Sequence, residues 1–178
     1  MTSNKINNVV EVNGILFETL MPEVVVKIPN NGAVSPVQFE IRITNISSHS
    51  YRFMLPYVLP EIFYSDGQAM QRSYVSNVYL PSKIAYFQLA RPQESLTFFM
   101  KAEFKWYRNS LILIGKATDG GIWRFYDFQS STYRVQFTYI NENEKKQIRW
   151  RSGKFSVWQD LWVGQASTPF LEFCLRLS

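Results

Sequence analysis

Lys145, Lys146, Arg149, Trp150, Arg151 and Lys154 are the densest cluster of reactive or binding side chains in the chain. They set five cations and a tryptophan in a ten-residue run without an acidic residue. Cations of this kind neutralise phosphate or sulfate, and an indole beside arginine stacks on a base or a headgroup. The competing expectation is a solvated loop whose Trp150 folds onto the edge of the protein, since charged side chains stay hydrated unless they are paired. Trp106-Tyr107-Arg108, Trp158 and Trp162 form a second aromatic set, either a platform for sugars or filling for the ends of a core.

Nucleophilic catalysis needs a base beside the nucleophile, and the sole histidine, His49, lies in the turn-forming run Ser47-Ser48-His49-Ser50. Sequence neighbours do not make a triad, and serines in turns bond their own backbone. Nothing in the spacing brings Cys174 to His49 as a thiolate pair. One histidine and one cysteine cannot close a zinc site, and no alternating aspartate run offers a calcium loop. Glu142 and Glu144 are a doublet, while Asp119 and Asp127 sit among turn formers; a carboxylate hydrolase would need two such groups facing across a cleft. Asp119-Gly120-Gly121 lacks the lysine and the helix of a phosphate loop. No enzymatic activity, metal or cofactor is expected.

Strands are expected to carry these side chains. Tyr133, Val135, Phe137 and Tyr139 alternate with Arg134, Gln136 and Thr138, and Leu171, Phe173, Leu175 and Leu177 alternate with Glu172, Cys174 and Arg176. Period two means antiparallel strands with one buried face. Val37 to Ile43 shows the same pattern, Ser95 to Trp106 reads as a core strand, and Asn13-Gly14, Asp66-Gly67 and Asp119-Gly120-Gly121 mark hairpins. Residues 71–94 show no clean period and are expected to cross as loops around a short strand. The connection from Asn141 to Thr168 is too long for a bare loop, and Trp158 to Ala166 is its expected strand. No sustained helical period is present.

The 178 residues, 46% hydrophobic and 16% aromatic, suit one all-β domain spanning 1–178. A net charge of +5 permits an anionic partner without requiring one. The polar start, Met1 to Asn8, has no apolar core of a signal peptide, and the single cysteine excludes an internal disulfide, so a cytoplasmic protein is expected.

Ile43, Asn45 and Ser47, then Tyr133, Val135 and Phe137, then Trp162 and Gly164, and finally Pro169 to Leu177 carry a resemblance. The chain resembles immunoglobulin-like β-sandwich domains of bacterial proteins of unknown role, including the intracellular proteinase-inhibitor-like domains. It departs from them at Ser131, where such domains commonly have glycine. The resemblance implies a tyrosine corner at Tyr133 and no chemistry. The expected protein is an immunoglobulin-like antiparallel β-sandwich with inserted hairpins, a non-catalytic module whose partner is another protein. The alternatives are an anionic polymer or membrane surface held by the basic run, and a carboxylate hydrolase.

Overall fold

A computed structural model describes residues 9–21, 23–54, 58–75, 87–117, 120–149 and 155–177. In chain order its first strands are β1 (Val9–Val12), β2 (Ile15–Leu20), β3 (Val25–Lys27), β4 (Val34–Asn45), β5 (Tyr51–Met54) and β6 (Leu59–Tyr64). Then come β7 (Ser73–Val75), β8 (Phe87–Ala90), β9 (Ser95–Tyr107), β10 (Ser110–Lys116) and β11 (Ile122–Phe125). The last are β12 (Thr132–Asn141), β13 (Lys146–Arg149), β14 (Phe155–Trp158), β15 (Gly164–Ser167) and β16 (Leu171–Arg176). Among the described residues no helix is long and apolar enough to cross a membrane.

Seven strands form an antiparallel sheet in the order β1-β2-β4-β9-β10-β11-β7. Its spine is the β4/β9 ladder, paired from Val34 and Lys105 to Thr44 and Ser95. The second sheet is built on β12. One edge of β12 pairs β6, while the other is shared by β16 over Thr132–Val135 and β15 over Thr138–Asn141. β3 extends this sheet by lying parallel to β16.

The alternation in the sequence decides what fills the space between the sheets. Phe39, Ile41 and Ile43 of β4 and Phe98, Met100 and Phe104 of β9 point inward, opposite Val135, Phe137 and Tyr139 of β12. Rings meet across the gap: Phe39 lies edge-on to Phe137 at 5.5 Å, and Phe104 reaches Phe173 at 6.3 Å. At one end Phe17, Phe53, Tyr139 and Trp162 close around one another at 5.3 to 6.3 Å. Most buried apolar side chains, from Ile15 to Leu175, belong to one cluster, and Met54, Phe87 and Leu161 form a smaller one under Trp158.

Asn13 and Gly14 take φ of 51° and 75°, which joins β1 to β2 in the expected two-residue turn. β10 and β11 pair as expected, but β9 and β10 form a further hairpin that the sequence reading did not contain, with Arg108 at φ 55° in its turn. Of residues 71–94, β7 and β8 are strands, and 76–86 lie outside the described residues. The connection after Asn141 differs from expectation: β13 and β14 form a hairpin, Trp158 ends it, and β15 begins only at Gly164.

Buried Asn45 is the joint at which the β4/β9 ribbon gives way to the β5/β8 ribbon. Its side-chain amide donates to the carbonyls of His49 and Ala90, and its Oδ1 accepts from the N–H and hydroxyl of Ser47. Asn141 ends β12 in a similar way, donating to the carbonyls of Asn143 and Trp162. A buried amide with all its bonds made locks one chain path, because any other leaves it unsatisfied.

Gly115 in β10 lies under the ring of fully buried Trp123, where an added Cβ would stand 2.1 Å from the ring. Gly115→Ala is expected to cost roughly 3 kcal/mol by overpacking. Urea unfolding measures it, and a midpoint equal to wild type would refute this packing.

Candidate functional site

The basic run divides. Lys145 is exposed just ahead of β13, Lys146 and Arg149 belong to β13, opposite Trp158 and Phe155 of β14, and Trp150, Arg151 and Lys154 lie outside the described residues. The run therefore enters a hairpin and not a plain loop. That hairpin is tied to the body of the protein at Trp158. The Arg52 guanidinium sits 3.7 Å from the Trp158 ring centroid while its Nε and Nη2 donate to the Asp160 carboxylate at 3.0 and 3.2 Å. Phe87 stacks on the same indole at 6.4 Å.

The other tryptophans are dispersed. Trp162 is core, Trp158 is covered by Arg52, and Trp106 donates its Nε1–H to the carbonyl of Pro29 at 2.8 Å. They form no common platform for a sugar.

Among the polar candidates, His49 is exposed with its Nδ1 3.1 Å from Ser48 Oγ, and Ser47 Oγ donates to Asn45. These serines shape the turn. Cys174 lies on the outward side of β16, half-buried, with its Sγ 3.2 Å from Thr132 Oγ1. Asp127 accepts from Ser110 Oγ at 2.8 Å in a turn where its own φ is 62°. Glu142 and Glu144 are exposed, and Asp119 lies outside the described residues. Among the described residues no three His, Cys, Asp or Glu side chains gather as metal ligands.

A surface that the sequence reading missed lies on the seven-stranded sheet. Near Ile41 the outward side chains of β2 and β4 neutralise one another, with Arg42 bridging Glu18 at 3.2 Å and Glu40 at 2.8 Å. Further across, Phe99 of β9 is 54% exposed. It borders a cleft of about 630 Å³ with half-buried Ile114 and Ile122 and with Lys101 and Lys116. Glu103 in the same cleft is held by Lys105 at 2.8 Å, whereas Lys101 and Lys116 make no ion pair among the described residues. A large exposed ring among aliphatic side chains and cations is a composition met at contact surfaces. Nothing in local sequence marks this site, because it is made where the pairing of β9 with β10 stops.

No family model, curated protein or solved structure matches the chain.

Tyr133 stands as the resemblance implied. It is 2% exposed, its hydroxyl accepts from Gln129 N–H at 2.8 Å and donates to Gln129 C=O at 3.2 Å. Burial raises its pKa above the ordinary 10.0, the backbone bond to Gln129 opposes the rise, and Tyr64 adds to it. A raised folded-state pKa means that the fold favours the neutral phenol. The stability this provides is complete below the unfolded pKa and is lost as pH rises through the folded one. Tyr133→Phe is expected to cost about 1–2 kcal/mol at neutral pH by leaving the Gln129 groups without their partner. It should also remove part of the alkaline loss of stability that the raised Tyr133 pKa predicts for wild type. Denaturant midpoints on either side of pH 10.0 check both, and unchanged midpoints in the variant would refute the corner.

Proposed function

We propose that this chain is an immunoglobulin-like β-sandwich with inserted hairpins that binds another protein and catalyses no reaction. The observation that carries the reading is the cleft beside Phe99, where an exposed aromatic ring, two aliphatic side chains and two lysines with no ion pair among the described residues share one sheet. Buried aromatic anchors supply most of the energy of protein interfaces, and a cationic rim steers the partner in. The sandwich part of the proposal is supported by two sheets that share one core, by the corner at Tyr133 and by Trp162 packed over Gly164. A cytoplasmic setting fits a chain whose single cysteine, Cys174, can form no internal disulfide.

The second reading, an anionic polymer or membrane surface held by the Lys145–Lys154 run, is favoured by Lys145, exposed just ahead of β13. Binding through that run should weaken steeply with salt.

Affinity capture from the native host with wild type and Phe99→Asp as baits tests the proposal. A captured protein that is lost with the variant is expected, because the carboxylate leaves the anchor position polar. Identical capture by both baits would overturn the Phe99 surface, and retention only on heparin with loss in Arg149→Ala would replace the proposal with the anionic reading.

A further inference from the structure

A separate and more polar pocket, of about 540 Å³, lies where the chain passes from β6 of one sheet to β7 of the other. Tyr64 at the end of β6, Gln71 and Arg72 ahead of β7, and Tyr126 and Asp127 just after β11 form its walls. It is at the opposite end of β11 from the Phe99 cleft: Arg124 pairs with Ser73 at this end, and Ile122 with Val75 at the other. Its volume falls in the range of small-molecule sites, roughly 300–1,000 Å³.

Backbone bonds fix the walls. Tyr64 N–H donates to Gln68 C=O at 2.9 Å and Met70 N–H donates to Ile62 C=O at 2.8 Å, which folds this connection back along β6. The Tyr64 ring packs on Tyr133 at 6.0 Å. Two opposite charges are then pinned separately. Arg72 Nη1 donates to Pro60 C=O at 2.7 Å. Asp127 Oδ1 accepts from Ser110 Oγ at 2.8 Å, and the same oxygen accepts from Asp127 N–H at 2.9 Å. Arg72 and Asp127 line one pocket, yet they make no ion pair with each other. Nε and Nη2 of Arg72 remain as donors and Oδ2 of Asp127 as an acceptor.

A ligand matched to these walls must accept from the guanidinium, donate to the carboxylate and lay an apolar surface on a tyrosine ring. An anion would be repelled by Asp127 and a cation by Arg72. A pyranose meets all three demands, because each hydroxyl both donates and accepts and the ring carbons carry C–H groups that suit an aromatic face. We infer that this pocket binds an uncharged saccharide, with Arg72 and Asp127 sharing its hydroxyls and Tyr126, 37% exposed, as the stacking face. Walls held before the ligand arrives lower the ordering cost of binding. The inference goes beyond the protein-binding reading and does not depend on it.

The probes are the methyl glycosides of glucose, galactose and mannose, each at millimolar concentration with the full chain, followed by saturation-transfer difference NMR and by the amide spectrum of the protein. At least one glycoside is expected to receive saturation through its ring C–H protons and to shift the amides of Arg72 and Asp127. Tyr126→Ala and Asp127→Asn should each weaken that binding about tenfold or more. Both should keep the wild-type melting temperature, since Tyr126 is exposed and asparagine tolerates the φ of 62° found at Asp127. Phe99→Asp should bind the glycoside as wild type does, so that loss of one surface is told from loss of the other. Free serine, a zwitterion that could bridge the two charges, should not displace the sugar. No transfer to any of the three glycosides, amide shifts centred away from this pocket, binding unchanged in Tyr126→Ala, or displacement by serine would each overturn the inference.

Discussion

The whole structure hangs on one geometric constraint: β4, β9 and β12 each carry a two-residue period, and their buried faces must meet. Phe39 on β4 reaches Phe137 on β12, and the β4/β9 ladder fixes Phe39 opposite Met100. Slipping either strand by one residue would turn Phe39, Ile41 and Ile43 to water and bring Gln38, Glu40 and Arg42 into the core. Each buried ring is worth about 1.5–3 kcal/mol of transfer free energy, so a slip loses far more than a whole domain has to spare. Register is thus set by the core, and the position at which β9 runs past the end of β10 follows from it.

Polar joints decide how the strands leave that core. Asn45 and Asn141 sit at the ends of β4 and β12, and Thr19 donates to Thr168 at 2.8 Å while Thr168 Oγ1 accepts from Phe137 N–H at 3.0 Å. The Thr19–Thr168 bond joins the two sheets where apolar packing is non-directional, while Asn45 and Asn141 hold the chain paths through Ala90 and Trp162 at the strand ends. The Arg52 stack on Trp158 plays the same part at the periphery, anchoring the β13/β14 hairpin through a ring and a carboxylate at once.

What was legible in the sequence was local. β12 and β16 could be read because their alternation is strict, the β1/β2 turn because Asn-Gly demands positive φ, and Tyr133 because it opens an alternating strand. The turn at Arg108-Asn109 was hidden because it uses no glycine, so a hairpin looked like one strand followed by another. The parallel contact of β3 with β16 joins segments near opposite ends of the chain, and no local pattern encodes such a pairing. The Phe99 cleft was hidden for the same reason. Composition pointed to the Lys145–Lys154 run because charge clusters are visible in one dimension, whereas the end of a ladder exists only once register is known.

The two sheets share one core through the facing rings of β4 and β12. A double-mutant cycle with Phe39→Leu and Phe137→Leu, read by denaturant unfolding, measures that directly. If the rings meet edge to face across the sheets, the double substitution should cost about 0.5–1.5 kcal/mol less than the sum of the two single losses. Strict additivity of the two substitutions would mean that these faces do not meet, and would contradict the account.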